Sequence, residues 1–378
     1  MYNILIPFVN AIDPTSGGVE RVYHNLGPAL KRLGCNVYAS FNIRTKYDFS
    51  SVYTEAFYLG DITGRKSYNK QLEKIIRKNN INIVICPFPS WQLFDFFSRQ
   101  KALKVFFHVH NVPSKIMYPD VSIVPPCLID TFVGEWAKKT RYAIRFKSSF
   151  KRIEENGMKV VLLSDKFKKD LASFCSIDDH NILSIPNPIE LDKNFDLVHN
   201  KKGKTLLYVG RITTKQKRFQ SLLNIWEKLQ NLLPEYNLDV VGGGPEKEFY
   251  ENKAKEMHLK RITFYGFQSP KEYYKKAQAL CMASNYEGFP MVLIEAMQYG
   301  CVPFAFKSFA AVSDVIDDKH DGFLVKPFDE DEYVSRVLRY VNETEEYKDK
   351  MRKESVNKAS SFSVDNIARE WIKMFDNY

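Results

Sequence analysis

Short apolar runs alternate with longer amphipathic stretches through most of the chain. In the second half each apolar run has the length of a buried strand and ends in glycine or polar residues; these runs are 205–209, 238–241, 262–265, 279–283 and 302–306. Apolar residues then recur at helical spacing, as in 219–233. This repeated order of strand, loop and helix predicts a doubly wound parallel sheet, whose strands end at one common edge.

The first half follows the same rhythm and predicts a second parallel sheet. Its apolar runs are 4–9, 36–41, 81–86, 104–112, 159–163 and 182–185. A polar stretch, 192–204, then reads as a linker. At 378 residues the chain suits two domains better than one core. We predict an N-terminal Rossmann-like domain over 1–188 and a C-terminal one over 189–358.

The segment 284–300, SNYEGFPMVLIEAMQYG, predicts a short helix with Pro290 in its first turn and Gly300 as its cap. Glu287 then lies just before the helix and Glu295 lies within it. Backbone N–H groups at such a helix start favour phosphate, and carboxylates accept hydrogen bonds from sugar hydroxyls. The interpretation is a nucleotide-sugar site. The alternative is a short surface helix with two ordinary glutamates.

Polar residues also follow strands of the first half. The strand 104–112, KVFFHVHNV, carries two histidines on one face. His110 is closer to the strand end than His108, so we choose His110 for the site. Gly17 and Gly18 form a turn between the first strand and a helix, where a ligand can approach the backbone. The alternative for this turn is a plain strand–helix connection.

Composition indicates a globular, reduced protein without a membrane span. The chain is 44% hydrophobic and 26% charged, and it has no apolar run long enough to cross a bilayer. Its start, MYNILIPFVN, lacks the basic region and cleavage site of a secretory signal. None of the six cysteines forms a C-x-x-C pair, so neither a zinc site nor a disulfide framework is implied.

The net charge of +10 is concentrated in the first half. Residues 1–190 carry 26 Lys and Arg against 17 Asp and Glu, whereas the remainder carries 29 against 28. The helical stretch 136–152 has seven basic residues, interleaved aromatics and no acid. It is interpreted either as a membrane-surface element or as a solvated helix face. The expected location is cytoplasmic, on the inner face of the cytoplasmic membrane if that helix binds lipid.

Several segments together resemble the retaining glycosyltransferases of glycosyltransferase family 4, also termed group 1. They are TLLYVGRITTKQKRFQSLL, LDVVGGGPEKE, ITFYGFQSPKEYYKKA, SNYEGFPMVLIEAMQYG and DGFLV, with SGGVER in the first half and FSVDNIAREWIKMF at the end. The resemblance implies the GT-B fold, with two Rossmann-like doubly wound domains facing a central cleft. The first would bind the acceptor and the second the donor, and a last helix, 359–378, would cross back onto the first.

The resemblance also implies site residues. Glu287 and Glu295 are similar to the two acids of the family's Glu-x7-Glu motif, the first beside the donor sugar and the second on the ribose. His110 resembles the histidine beside the reacting sugar. The donor diphosphate would be bound by Arg211, Lys217, Gly17, Gly18, Phe289, Met291 and Val292. The base pocket would be formed by Gly266, Phe267 and Gln268.

One departure from the family pattern concerns the basic pair. The family usually has Lys-Gly where this chain has Lys217-Arg218, and Lys215 is also near. Arg211, Lys217 and backbone N–H groups could stabilise the charge that builds on a departing diphosphate. No DxD-type motif is evident at the site, so neither a metal nor another cofactor is expected.

The expected reaction is hexosyl transfer with retention, from a nucleotide sugar to a glycan or lipid-linked acceptor of the cell envelope. A UDP donor is favoured, with GDP-mannose second. Two alternatives keep the cleft: a sugar-nucleotide epimerase and a soluble-acceptor synthase of sucrose or storage glucan. A nucleic-acid-binding protein would explain the charge, but it would leave the ordered glycine, Arg/Lys and Glu pattern unexplained.

Overall fold

The computed structural model describes residues 1–8, 12–14, 17–60, 65–87, 91–113, 148, 150–173 and 177–378. The chain divides into two compact units. The first contains Met1–Pro188 and Val364–Tyr378, and the second is Ile189–Ser363. Each unit is built on a parallel sheet.

The first unit has a seven-stranded sheet in its described residues. The strands are β1 (Asn3–Pro7), β2 (Asn36–Phe41), β3 (Glu55–Tyr58), β4 (Ile83–Cys86), β5 (Lys104–Val109), β6 (Lys159–Leu162) and β7 (Ile182–Ser184), in the order β3-β2-β1-β4-β5-β6-β7. The described helices are α1 (Gly18–Arg32), α2 (Arg65–Lys78), α3 (Trp91–Phe97), α4 (Lys168–Ala172) and, from the chain end, α12 (Val364–Asn377). Single 3-10 turns occupy Asp165–Phe167 and Asp179–Asn181.

Helix α12 completes the core of the first unit. Its apolar residues recur every four positions, so Ile367, Trp371 and Phe375 face the same way, and all three are buried. The Phe106 ring on β5 lies 6.1 Å from Trp371 and 5.4 Å from Phe375. Burial of each such side chain is worth roughly 1.5–3 kcal/mol.

The second boundary between the units differs from the sequence prediction. The predicted last helix began at residue 359, but the preceding helix continues to Ser361 and α12 begins only at Val364. Ala359 and Phe362 are buried in the second unit, where the Phe362 ring contacts Phe289 at 5.8 Å. These contacts hold the residues up to Ser363 in the second unit.

The second unit has a six-stranded sheet. Its strands are β8 (Thr205–Val209), β9 (Asn237–Val241), β10 (Ile262–Gly266), β11 (Ala279–Met282), β12 (Val302–Phe306) and β13 (Phe323–Val325), in the order β10-β9-β8-β11-β12-β13. Its helices are α5 (Phe219–Leu232), α6 (Lys247–Glu256), α7 (Lys271–Lys276), α8 (Met291–Met297), α9 (Val312–Val315), α10 (Glu330–Val341) and α11 (Glu345–Ser361). The order reverses between β8 and β11, which are neighbours in the sheet, and this reversal is where such sheets bind ligands.

The glutamate-bearing helix α8 is shorter than predicted. It ends at Met297, three residues before the predicted cap Gly300, and Pro290 is its N-cap residue instead of a member of its first turn. Gly300 adopts a left-handed φ of 64° and donates its N–H to the Met297 carbonyl. The N–H of the next residue, Cys301, donates to the Ala296 carbonyl. These two bonds form a Schellman motif, so Gly300 caps the helix as predicted.

One predicted feature lies mostly outside the described residues. The basic stretch 136–152 is described only at 148 and 150–152. In the part of the chain that is described, no helix combines the length and apolar character needed to cross a membrane.

Candidate functional site

An ion pair lies at the strand reversal of the second sheet. Lys217 follows β8 and Glu287 follows β11, and the Lys217 ammonium is 2.6 Å from the Glu287 carboxylate. Their side chains are only 14% and 9% exposed. Gln216 Nε2 also donates to Glu287, at 3.4 Å. The structure therefore brings together a predicted phosphate ligand and the predicted sugar-side acid.

Backbone and side-chain hydrogen bonds hold the two loops of this pair together. The Asn285 N–H donates to the Gln216 carbonyl at 2.7 Å, and Asn285 Nδ2 donates to the Lys215 carbonyl at 3.5 Å. On the other side, Ser308 Oγ donates to the Ser284 carbonyl at 2.6 Å. The carboxylate of Glu287 is thus mounted on a segment that is fixed from both neighbouring loops.

Close backbone contacts join the glycine loops that follow β8, β9 and β10. The Ile212 N–H donates to the Gly243 carbonyl and the Gly242 N–H to the Gly266 carbonyl, both at 2.8 Å. A Cβ on Gly242, where φ is 140°, would lie 2.0 Å from the Gly210 carbonyl oxygen. A side chain there would force the loops apart, so glycine is required for this approach.

The loop after β10 places the predicted base-binding residues at the same edge of the sheet. Gly266 has a left-handed φ of 74°, and Phe267 is 93% exposed. Gln268 Nε2 donates to the Tyr273 hydroxyl at 2.7 Å. Arg211 is also exposed, and it directly precedes Ile212, whose N–H donates to the Gly243 carbonyl. An exposed aromatic ring and a guanidinium next to a glycine loop are suited to a nucleotide.

Helix α8 presents Glu295, and the loop before it presents Phe289. Glu295 is half-buried, and its Oε2 accepts a hydrogen bond of 3.1 Å from the Tyr274 hydroxyl. The Met291 N–H donates to the Phe289 carbonyl at 2.9 Å. That bond must open before the Met291 N–H can bind a phosphate, the role predicted for it together with the N–H groups of Phe289 and Val292.

The first unit carries a different polar cluster, at the end of β5. The Tyr23 hydroxyl on α1 is 2.8 Å from His108 Nδ1 and 3.2 Å from His110 Nε2. Burial lowers the pKa of His108 well below its usual range and that of His110 to about 3, although the neighbouring Asn187 side chain acts against the shift at His110. Both imidazoles are therefore neutral at physiological pH.

His110 is more enclosed than the sequence suggests. Its Nε2 is engaged by Tyr23, and its Nδ1 is buried beside Asn187. His108, the alternative choice, is only 1% exposed. His110 is half-buried, so it remains the more accessible of the two histidines, but its ring nitrogens face the protein in this conformation.

Gly17 and Gly18 lie at the start of α1, and they differ in how closely other atoms approach them. Gly17 is extended and accepts a bond from the Arg21 N–H at 3.3 Å. A Cβ on Gly17 would lie 2.5 Å from Glu20 Oε2, whereas a Cβ on Gly18 would meet nothing within 4 Å. The space over Gly18 fits the predicted approach of a ligand.

The sequence does not predict Tyr23, Gln216 or Tyr274 as residues of the site. Each contacts a predicted site residue that is distant in the chain, so no local sequence spacing indicates its role. The tyrosines also look like ordinary core residues in amphipathic helices. Among the described residues, no group of three or more His, Cys, Asp or Glu side chains is arranged to hold a metal ion.

Comparison with known families identifies the fold and the family. A model described as Glycosyltransferase Family 4 matches residues 16–193, and one described as Glycosyl transferases group 1 matches residues 190–358. The chain belongs to the group 1 glycosyltransferases. This group 1 chain has the GT-B fold, with two α/β units built on parallel sheets.

Three curated relatives are similar to parts of this group 1 chain. An uncharacterized glycosyltransferase of Haemophilus influenzae is 32% identical over 51% of this chain and 54% of its own length. The amylovoran biosynthesis glycosyltransferase AmsD of Erwinia amylovora is 30% identical over 56% and 60%. The GalNAc-alpha-(1->4)-GalNAc-alpha-(1->3)-diNAcBac-PP-undecaprenol alpha-1,4-N-acetyl-D-galactosaminyltransferase of Campylobacter jejuni is 29% identical over 49% and 50%. The chain thus spans half to three fifths of these relatives.

Solved structures match this group 1 glycosyltransferase over nearly its whole length. A glycosyltransferase from Rickettsia africae has a TM-score of 0.75 and 19% identity, covering 100% of this chain and 98% of that one. HepE of Anabaena, solved in complex with UDP and glucose, has a TM-score of 0.74 and 12% identity, covering 100% of both chains. At these identities the likeness concerns the fold.

Proposed function

We propose that this protein is a retaining glycosyltransferase that transfers a hexosyl residue from a UDP-sugar to a glycan or lipid-linked acceptor of the cell envelope. The observation that carries the proposal is the Lys217–Glu287 pair at the strand reversal of the second sheet, with a separation of 2.6 Å. It combines a cation for phosphate with a carboxylate for sugar hydroxyls in one enclosed place.

Different residues of the second unit bind different parts of the nucleotide-sugar donor. Lys217 and Arg211 bind the diphosphate, and the N–H groups of Phe289, Met291 and Val292 add donors once the Met291 bond opens. Glu287 faces the sugar and Glu295 the ribose. The loop Gly266–Gln268 takes the base, with Phe267 exposed for stacking. In the first unit, we propose Gly17, Gly18 and His110 as ligand-binding residues.

Hexosyl transfer breaks the bond between C1 of the sugar and the β-phosphate oxygen and forms a bond from C1 to the acceptor oxygen. The departing phosphate takes up the proton of the acceptor hydroxyl. Because the acceptor attacks C1 from the face that the phosphate leaves, the anomeric configuration is retained. Negative charge grows on the diphosphate during this step. Two cations, the enclosed Lys217 and the exposed Arg211, stabilise that charge, each by up to a few kcal/mol. We therefore propose that transfer needs no metal ion.

Two kinds of comparison support the choice of substrates. HepE, which has the same fold, was solved with UDP and glucose. The Campylobacter relative is named for a PP-undecaprenol acceptor, and the Erwinia relative for amylovoran biosynthesis. A lipid-linked or polysaccharide acceptor is the chemistry that these names share.

The test is thermal unfolding of the purified protein with UDP, GDP and ADP, each in EDTA. A nucleotide at about 100 times its Kd should add about 2.7 kcal/mol to the free energy of unfolding. We expect UDP to stabilise the protein, and we expect Arg211→Ala and Lys217→Ala to abolish that effect. Lys215→Ala is the matched control, because Lys215 is an exposed lysine two residues from Lys217.

The reaction itself is followed by proton NMR with UDP-hexoses. UDP release from a UDP-hexose in water, enhanced by a lipid-linked acceptor, supports transfer. Conversion of one UDP-sugar into another without an acceptor would instead identify an epimerase. Equal loss of the UDP effect in Lys215→Ala and Lys217→Ala would contradict the site.

A further inference from the structure

Glu295 is tied to a buried tyrosine of another helix. Tyr274, on α7, is 2% exposed, and its hydroxyl donates to Glu295 Oε2 at 3.1 Å. The two residues belong to adjacent short helices of the second unit, 21 positions apart in the chain. A hydrogen bond to a carboxylate from a buried, rigid phenol limits the orientations of that carboxylate.

A half-buried lysine, Lys202, links these helices. Lys202 Nζ donates to the carbonyls of Tyr274 at 2.9 Å and Lys275 at 2.8 Å, near the end of α7. It also donates to the Tyr299 carbonyl at 2.6 Å, in the turn that ends α8. Burial lowers the pKa of Lys202 to about 8, so at neutral pH it is still mostly an ammonium with three donors.

The rings add a second link between the same two elements. The Tyr274 ring stacks on Tyr299 with centroids 6.1 Å apart and planes 14° from parallel. Helix α8 has only seven residues, too few to be stable alone. Its orientation, and with it that of Glu295, therefore depends on packing against its neighbours, which are α11, β12 and α7.

We propose that Tyr274 is a positioning residue for Glu295, holding its carboxylate in the orientation that binds the ribose hydroxyls of the donor nucleotide. This inference rests on the proposed function, which assigns Glu295 to the ribose. Loss of the Tyr274 hydroxyl removes one restraint on the Glu295 carboxylate, and fixing the carboxylate again on binding costs affinity.

The test compares two probes that differ only in the ribose, UDP and 2′,3′-dideoxy-UDP. The ratio of their Kd values, measured by calorimetry, reports the ribose contacts alone. Hydrogen bonds to a charged group predict a ratio of about 10 or more in the wild type. We expect Glu295→Ala to bring the ratio close to 1, and Tyr274→Phe to lower it to about 3 with little change in the Kd of 2′,3′-dideoxy-UDP.

A matched control is Tyr236→Phe. Tyr236 is also buried in the second unit, and its hydroxyl donates to Gln278 at 2.8 Å. This variant should keep the wild-type ratio. In a Glu295→Ala background, Tyr274→Phe should have no further effect on the ratio, because the tyrosine acts through the glutamate.

Three outcomes overturn the proposal, and they are distinguishable. A wild-type ratio kept in Tyr274→Phe removes the positioning role. An equal loss of affinity for both probes assigns Tyr274 a purely structural role. If UDP does not bind at all while the protein is folded, the proposed function fails first and this inference fails with it.

Discussion

The polar cluster at the carboxyl end of the second unit's sheet is charged, whereas the one at the carboxyl end of the first unit's sheet is neutral. In the second unit the cluster is an ion pair, Lys217 with Glu287, beside an exposed arginine. In the first unit it is a neutral, enclosed group in which Tyr23 bridges two histidines whose ring centroids are 4.0 Å apart. The sheets have similar strand orders, so the difference comes from the side chains at and near the strand ends.

A charged edge favours a charged ligand, because cations close to a diphosphate offset its charge. A neutral edge of hydrogen-bonding rings suits uncharged hydroxyls. We therefore expect changes in the two clusters to have separable effects.

The largest expected effect tests whether the two units are independent in stability. Trp371→Ala removes a fully buried side chain from the first unit, and Trp226→Ala removes one from the second. Each should cost about 3–5 kcal/mol of unfolding free energy. Hydrogen exchange should show the loss in the altered unit alone. Equal loss of protection in both units would mean that they unfold as one.

The next effect concerns the charged edge. Glu287→Ala leaves Lys217 enclosed without its partner and removes the proposed sugar-side acid, so hexosyl transfer should fall about 100- to 1,000-fold. Lys217→Ala should act similarly, and the double variant should be much less than additive. Glu272→Ala, which removes a 65% exposed carboxylate of the same unit, is the control. Full activity in Glu287→Ala would contradict the assignment.

The neutral edge should make the first unit sensitive to acid. His108 and His110 have lowered pKa values because they are buried. As the pH falls, the histidines of the unfolded chain therefore take up protons before those of the folded chain. The contribution of the two histidines to the free energy of unfolding is complete above a pH of about 6.5 and is lost as the pH falls towards their pKa values in the folded state. Each histidine should cost at most about 1.4 kcal/mol per pH unit below that point.

Urea unfolding at pH 7.0 and 5.5 measures this acid effect. His108→Gln and His110→Gln should each reduce the pH dependence, whereas His199→Gln, an 84% exposed histidine of the second unit, should leave it unchanged. A pH dependence that survives both first-unit substitutions would exclude the neutral cluster as its source.

The smallest effect concerns Arg218, which occupies the position where the family usually has glycine. Its backbone is left-handed, with φ of 48°, and its guanidinium lies 4.2 Å from the Phe328 ring. Arg218→Gly relieves about 1 kcal/mol of strain and loses a cation–π contact of similar size, so stability should change little. Arg218→Ala keeps the strain, loses the contact and should be the less stable variant in urea.

The sequence allowed prediction of those features that depend on local pattern. The sheet class, the strand 205–209 and the Gly300 cap follow from apolar runs and glycine positions. Edge strand β3 was missed because its four residues are exposed or half-buried and show no buried face. The end of the second unit was misplaced because α11 and α12 are separated by only two residues.

The candidate site was predictable in its charged residues but not in its supporting ones. Lys217 and Glu287 stand in motifs, whereas their proximity depends on sheet order. His110 was chosen by strand position, and its enclosure by Tyr23 depends on a contact 87 positions apart. Tyr274 had no signal, because a single tyrosine in an amphipathic helix is normally a core residue.

The discontinuous first unit has a consequence for synthesis on the ribosome. Residues 1–188 emerge first, but Trp371 and Phe375, which complete their core, emerge only after all of Ile189–Ser363. At roughly 5–20 residues per second, that interval lasts about 9–35 seconds. Throughout it, the apolar surface that α12 later covers is open to chaperones and to other nascent chains, while the contiguous second unit can already fold.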